Sequence, residues 1–374
     1  MNPDMMIALA GEQPMPNFIP ILQIKPQMVE FVVSNKTEPH ARWTTEAMKL
    51  DRRTKGIRTN INPQVEVYDL AAVERQCVEI IERYPDQTVV VNLTGGTKIM
   101  SLGAYRIATE HRLAMLYVVT EKSHVLYFED TVFTQPLVAS VPAQVYFAAH
   151  GIKASSKRPW GEPFVGLARL IAQHAVNAAR VIDEARRCVS QRGQLCVIER
   201  ASADERKLAQ ALVECGCLEP TGSGSRLSIC VTQDRRARDF LAGKWLEIWV
   251  YEAARTSGLF DDVACDVRIE KDSGPALVLN QLDVVATRNA RLTVCSCKTE
   301  SHELTEKDEN KGAIYELDSI SRREQAGIYC GKVLVTHLVG LPEAFLSRAQ
   351  NSRVTVVTGV DLINVAAKIG ESLK

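Results

Sequence analysis

The sequence predicts an α/β chain in three parts. These are an N-terminal domain (1–140) on a doubly wound parallel sheet, a helical, winged-helix-like connector (141–238), and a C-terminal α+β domain (239–374) with a mixed sheet. Three observations predict it. With 374 residues the chain is long enough for two or three domains of roughly 150 residues each. Its first third alternates short, two-faced apolar runs with helix-period patterns, the signature of strands crossed over by helices. Its last third runs helix, strand, turn, strand, turn, strand before returning to helices.

In the N-terminal part, Met6–Ala10 reads as a strand. A polar turn, Gly11–Asn17, leads to a helix-like stretch ending near Lys25. Met28–Ser34 is a second strand, followed by the loop Asn35–Pro39 and a helix to Leu50. Val65–Leu70 reads as the third strand by its alternation, with a helix to Tyr84 behind it. Gln87–Leu93 is the fourth, and it runs through a glycine turn into a helix over Ile99–Glu110. Ala114–Thr120 and Ser123–Asp130 close the sheet.

The connector reads as helix over Phe164–Val189, a short strand Gln194–Glu199, a helix Ala203–Cys215, and a hairpin across Cys217–Val231 turning at Thr221–Ser225. Structural bridging is its expected role, with DNA binding as a winged helix the alternative. The last part predicts a helix Lys244–Thr256 and strands Val263–Glu270, Leu277–Thr287 and Arg291–Cys297, with turns at Asp272–Pro275 and Arg288–Ala290. A charged loop, Glu300–Lys311, then a helix Gly312–Ser321, a strand Lys332–Thr336 and a final pair, Arg353–Val357 and Gly359–Lys368, complete it.

Composition narrows the function classes. Apolar residues make up 46% and charged residues 24%, ordinary values for a globular chain. No uninterrupted apolar run approaches about 18 residues, so no membrane helix is expected. The N-terminus carries no signal-peptide pattern, so a cytoplasmic setting with reduced thiols is expected. Basic and acidic residues balance at 45 each, which argues against a protein that coats nucleic acid and leaves room for a local basic cleft. The ten cysteines include no CxxC pair, so a zinc finger is not expected.

Two constellations carry chemistry. Asn92-Leu-Thr-Gly-Gly-Thr-Lys98 lies where an apolar strand ends and a helix begins. Paired glycines allow positive φ and close backbone approach, and a helix N-terminus attracts a phosphate. Thr94, Thr97 and Lys98 add hydroxyls and a cation to Gly95 and Gly96. Loops after the first two strands bring Gln13, Asn17, Ser34, Lys36 and Thr37 to the same carboxyl edge, where open α/β sheets bind ligands. The pattern is neither a Walker A loop nor GxGxxG, and a plain strand-to-helix turn is the competing reading.

The second constellation is Glu247 on a helix, Asp283 on a strand, and Lys298 at the end of the next strand. Carboxylates hold a hard divalent cation, which polarises a phosphodiester and lowers the pKa of water, while a lysine offsets developing charge. This order is the layout of PD-(D/E)xK nucleases. Ser296 stands where that motif has an acid, so metal would rest on Glu247, Asp283 and the backbone carbonyl of Cys297, with Ser296 acting through water. Singly, each residue reads as a solvated or edge charge; together in this order they point to a nuclease site. Tyr315, Glu316, Arg322 and Arg323 read first as a solvated helix face, with nucleic-acid contact or tuning of the metal as the alternatives, and Trp245 and Trp249 read as core.

With MIALAGEQPMPN at the start, Asn92–Lys98 resembles the turn of the Rossmann-like CARF (CRISPR-associated Rossmann fold) domain. Gly243-Lys-Trp-Leu-Glu247, Asn280-Gln-Leu-Asp283 and Cys295-Ser-Cys-Lys-Thr299 resemble the restriction-endonuclease-like domain of type III CRISPR ancillary nucleases. The resemblance spans nearly the whole chain, the connector least. It implies a homodimer that binds cyclic tetra-adenylate across two CARF domains. Thr94, Gly95, Gly96, Thr97 and Lys98, joined by Gln13, Asn17 and Lys36, would hold that activator. It also implies a nuclease using Mn²⁺ or Mg²⁺ to cut DNA, RNA or both. The alternatives are a ligand-responsive sensor or regulator with a degenerate nuclease domain, and a ring nuclease that degrades its own cyclic oligoadenylate.

Overall fold

The computed structural model describes residues 3–128, 131–157, 160–191, 195–220, 226–272, 277–299, 312–320 and 330–373. The first sheet has seven strands in the order β3-β2-β1-β4-β5-β6-β7. They are β1 (Met5–Leu9), β2 (Met28–Val32), β3 (Arg58–Ile61), β4 (Val89–Asn92), β5 (Ala114–Val119), β6 (His124–Phe128) and β7 (Val132–Pro136). The five from β3 to β5 are parallel, and β6 and β7 return antiparallel.

All five residues of β1 are buried because helices cover both faces. Met6 and Ala8 pack with Phe18 and Ile19 of α1 (Met15–Ile24) and with Ala47 and Met48 of α2 (Glu38–Leu50). Met5, Ile7 and Leu9 pack on the other face with Val73 and Ile80 of α3 (Leu70–Arg83) and Met100 and Ala104 of α4 (Lys98–Glu110). A strand with two buried faces is apolar throughout, which is why MIALA is legible as sequence.

The third strand is not where alternation put it. Arg58–Ile61 is the edge strand, and 65–69 cross the carboxyl end of the sheet. The Val65 N–H donates to the Val33 carbonyl at 2.9 Å. Val65 and Val67 do bury apolar surface, but at the end of the sheet. Asp69 then starts α3 by accepting from the Ala72 N–H at 3.0 Å. The true edge strand hides behind polar residues: buried Glu30 accepts from Asn60 and Asn62 at 2.9 and 2.7 Å.

After α5 (Ala143–Ala149) comes β8 (Lys153–Ser156), followed by α6 (Phe164–Gln173), α7 (Ala179–Ser190), β9 (Cys196–Glu199), α8 (Ala203–Glu214) and β10 (Arg226–Ile229). Strand β10 pairs with β9 across α8. The arms of the hairpin expected within Cys217–Val231 also meet: Leu218 bridges Val231 antiparallel, the Glu219 N–H donates to the Cys230 carbonyl at 2.8 Å and the Thr232 N–H to the Cys217 carbonyl at 3.1 Å; the expected turn at 221–225 lies outside the described residues.

The C-terminal sheet runs β15-β14-β13-β12-β11-β8. Its strands are β11 (Asp262–Asp272), β12 (Leu277–Arg288), β13 (Arg291–Lys298), β14 (Gly331–Thr336) and β15 (Thr355–Val357), with β8 antiparallel to β11. Strand β8 was not expected: it falls within the span assigned to the connector but belongs to this sheet, and with one apolar residue in Lys153-Ala-Ser-Ser156 it leaves no sequence signal. The helices are α9 (Arg235–Asp239), α10 (Trp245–Thr256), α11 (Ala313–Ile320), α12 (Glu343–Asn351) and α13 (Val365–Glu371). Trp245 and Trp249 are buried, and the Trp249 indole donates to the Leu362 carbonyl at 2.9 Å. The loop 300–311, the turn beyond Asp272, and Arg322 and Arg323 lie outside the described residues.

Candidate functional site

Strands β1 and β4 end side by side, with Ala8 opposite Asn92, and the strand order turns back between them. Gly95 passes so close to β1 that a Cβ there would stand 1.9 Å from the Leu9 carbonyl oxygen. Gly96 takes φ +74°, the left-handed region that glycine adopts without strain. Both glycines of the turn are therefore required, for different reasons. Thr97 caps α4 by accepting from the Met100 N–H at 3.2 Å, and its hydroxyl donates to the Val67 carbonyl at 2.9 Å.

Above this turn opens a cleft of about 1070 Å³. Gln13, Ser34, Lys36, Thr37, Thr94, Gly95, Gly96 and Thr97 line it. Asn17, Asn92 and Lys98 do not. Asn92 is fully buried, donates to the Pro16 carbonyl at 2.9 Å and to Asn17 Oδ1 at 2.8 Å, and accepts from the Thr94 N–H and hydroxyl. Asn17 in turn donates to the Leu9 carbonyl at 2.9 Å. These two amides brace the turn from below. Lys98 is exposed on the first turn of α4, outside the cleft.

Ser34 and Thr37 bond one another, hydroxyl to hydroxyl at 3.1 Å. Lys36 pairs with Glu12 at 2.5 Å. Glu12, Gln64, Glu66 and the 77%-exposed Tyr68 also line the cleft and were not named; Glu66 and Tyr68 escaped because 65–70 reads as a strand, and Asp69, a capping residue ahead of an amphipathic run, was the signal available.

The second site is a cleft of about 640 Å³ between α10 and the C-terminal sheet, lined by Glu247, Asp283, Cys297 and Lys298 among others. It brings together the three charged residues read from the sequence. Asp283 Oδ2 accepts from the Cys297 N–H at 2.8 Å, which ties β12 to β13 where the ladder ends. Lys298 pairs with Glu316 of α11 at 3.2 Å. Ser296 is not among the lining residues; strand alternation puts it on the face opposite Cys295 and Cys297. The group that Cys297 is seen to contribute is its N–H.

Four charged residues of the cleft escaped the sequence reading, Lys157, Asp239, Lys244 and Asp266, and two of them act on the Glu247 carboxylate. Lys244 sits 2.7 Å from Glu247 Oε2, raised to that position by a π-turn, Phe240–Lys244. Gly243 in that turn has φ +152°, and a Cβ there would meet the Thr299 hydroxyl at 2.9 Å. Asp266 is the other. Strands β11 and β12 pair Cys265 with Val284 and Val267 with Leu282, leaving Asp266 and Asp283 opposite each other between the two pairs. The apolar faces exchange at this point: Cys265 and Val284 pack on the α10 side, whereas Val267 and Leu282 pack on the other. Asp266 takes φ +51° at the slip. Both carboxylates thereby line the cleft.

Burial, and then the Asp283 charge, push the Glu247 carboxyl up to about 7, against the pull of Lys244. Burial also raises Asp283, opposed by the Cys297 N–H and then by Lys298 and Lys244. Two desolvated carboxylates with too little positive charge are a donor set for a hard divalent cation. Among the described residues no three His, Cys, Asp or Glu side chains converge as a metal cage.

The raised Glu247 pKa sets a pH dependence. Between about 4.5 and 7 the metal-free folded state keeps a proton that the unfolded chain releases, so stability falls as pH rises through this window, by at most about 1.4 kcal/mol per pH unit. Glu247→Gln should flatten the fall. Thermal melts in chelator from pH 5 to 8 test this; parallel curves for the two proteins would refute it.

Two family models match the chain: a Card1 CARF domain over residues 5–136, and a Card1-like endonuclease domain over residues 234–372. Among curated proteins none matches. Solved structures share the fold. Can2 from Sulfobacillus thermosulfidooxidans, solved in complex with cyclic tetra-adenylate, is 24% identical with a TM-score of 0.76, over 98% of this chain and 97% of that one. Protein VC1899 from Vibrio cholerae is 17% identical with a TM-score of 0.79, over the same shares, 98% and 97%. A type III CRISPR defence DNA nuclease activated by cyclic oligoadenylate is 19% identical with a TM-score of 0.56, over 90% of this chain and 45% of that one. With the glycine turn under one cleft and the Glu247–Asp283–Lys298 cluster in the other, the chain is a fusion of a CARF domain and an endonuclease domain, both of the Card1 kind.

Proposed function

We propose that this protein is a metal-dependent endonuclease of type III CRISPR defence, switched on by cyclic tetra-adenylate and acting on DNA, RNA or both in the cytoplasm. The observation that carries this reading is the presence in one chain of a large polar cleft over the glycine turn and a separate carboxylate–lysine cleft over the C-terminal sheet. The similarity to a protein solved with cyclic tetra-adenylate supports the choice of activator. No helix among the described residues is long and apolar enough to cross a membrane.

Mn²⁺ or Mg²⁺ bound at Glu247 and Asp283 would polarise the scissile phosphate and supply a hydroxide equivalent. The chain's own part is electrostatic. Lys298, poised beside Asp283, offsets charge developing on the phosphorus oxygens. Glu316, the exposed partner of the largely buried Lys298, holds it at 3.2 Å until a phosphate takes its place. The Cys297 N–H keeps Asp283 aimed at the cleft. The cleft over the turn suits a ring of phosphates: a two-fold symmetric ring would meet the same turn from each protomer of a homodimer. The hydroxyls of Thr94 and Thr97 are already engaged by Asn92, Val118, Val67 and Met100, which disfavours their use in degrading the ring.

The test is cleavage of supercoiled plasmid and of fluorogenic single-stranded DNA and RNA with Mn²⁺, with and without cyclic tetra-adenylate. Cutting that requires both establishes the reading. Tight activator binding without cutting would leave a sensor with a degenerate nuclease domain, as Ser296 outside the cleft would then explain.

Charge in the activator cleft gives a second expectation. Lys36→Ala should weaken activator binding by about 1.5–3 kcal/mol, since it removes a charge-assisted partner and leaves Glu12 facing an anion. Glu12→Gln should tighten it. Calorimetry with the full-length protein checks both signs, and equal affinities would remove this pair from the ligand's surroundings.

A further inference from the structure

We infer that the nuclease cleft continues into a second subsite for the nucleic-acid strand, and that Lys157 at their junction grips a phosphate neighbouring the scissile one. The inference rests on the nuclease reading above. A groove of about 470 Å³ adjoins the cleft, and the two share Lys157, Tyr251 and Cys265 as lining. Beyond the junction the groove is lined by the exposed polar residues Gln144, Ser155 and Ser156, by the half-buried Ala154, Val263 and Ala264, and by Asp262, whose carboxylate accepts from the Ala143 N–H at 2.8 Å. Such a surface takes a sugar and base on one side and a phosphate backbone on the other.

The register places Lys157 with the catalytic carboxylates. Strand β8 pairs Ser156 with Val267, so Lys157 is next in line opposite Asp266, which itself lies opposite Asp283. Lys157 Nζ is 2.8 Å from Asp266 Oδ2. Gln281 donates to the other oxygen, Asp266 Oδ1, at 2.5 Å. Asp266 is thus a positioning residue that aims a lysine. Two strand spacings, about 10 Å, separate Lys157 from Asp283. That distance is too long for the reacting phosphate and suits its neighbour in the strand. The Lys157 side chain is 56% exposed, so its ammonium is open to a phosphate, and Asp266 takes one of its three donors. This cation comes from outside residues 234–372, the region matched as endonuclease. Strand β8 therefore supplies the nuclease with part of its substrate surface from the chain that links the two domains.

The experiment compares wild type, Lys157→Gln and Lys157→Arg, all full length, on single-stranded DNA and RNA oligonucleotides. Cutting is followed with cyclic tetra-adenylate and Mn²⁺. Strand binding is followed separately by anisotropy in chelator, on an Asp283→Asn background. Lys157→Gln should raise KM about 5–10-fold with kcat nearly unchanged, weaken metal-free binding equally, and reduce the slope of log affinity against log salt by about 0.7. Lys157→Arg should restore all three. Unchanged KM and salt slope in Lys157→Gln would overturn the inference, as would a fall in kcat alone with unchanged strand binding. A wild-type protein that neither cuts nor binds either strand would instead overturn the nuclease reading, and this subsite with it.

Discussion

Asp283→Asn is expected to abolish cutting while leaving cyclic tetra-adenylate binding at wild-type affinity. In the proposed mechanism this buried carboxylate holds the metal together with Glu247, and an uncharged amide would not replace it. A loss on the order of 10²–10³ in kcat or more is expected, as for removal of one group that stabilises developing charge. Folding should survive. The asparagine oxygen can still accept from the Cys297 N–H, and burial already disfavours the ionised side chain. The activator cleft shares no lining residue with the nuclease cleft, so calorimetry should return the wild-type constant. Cutting at the wild-type rate would move the catalytic centre away from the Glu247–Asp283 pair.

The second large effect is expected from a single methyl group. Gly95→Ala would put a Cβ 1.9 Å from the Leu9 carbonyl, and β1 has no room to retreat because both of its faces are packed. The turn must move or the CARF sheet must open, at a cost of several kcal/mol, the range of severe overpacking. Activator binding should be lost and the melting temperature should drop. Gly56→Ala is the control: nothing lies within 4 Å of its Cβ, so a change within about 0.5 kcal/mol is expected. Equal melting temperatures for the two variants would show that the turn tolerates a side chain.

Much of the fold was legible because burial on both faces writes itself into composition. MIALA is apolar throughout, MVEFV and VVVN are apolar but for Glu30 and Asn92, and their strands sit at the centre of the first sheet. The edge strands were not legible. Arg58–Ile61 buries little apolar surface and is secured by the Glu30 carboxylate, whereas Val65 and Val67 bury theirs without joining the sheet. Strand β8 is the same case, a polar tetrapeptide recruited by β11.

The sites divide along a similar line. The sequence by itself determined the chemistry: a two-glycine turn between strand and helix, and a glutamate, an aspartate and a lysine in nuclease order. Those follow from covalent adjacency and from the few backbone shapes that glycine alone permits. Only the tertiary structure decided which neighbours share each cleft. Asn17 and Asn92 proved to brace the turn, Lys98 and Ser296 lie outside the clefts, and Lys36 is the lysine beside the turn. Lys157, Lys244 and Asp266 entered the nuclease cleft. Asp266 did so because a slip in strand alternation turned it to the same side as Asp283, and Lys157 because β8 crossed over from the linker. Such placements depend on cross-strand register between segments distant in sequence, and a period-2 pattern along one strand carries no record of the partner it meets.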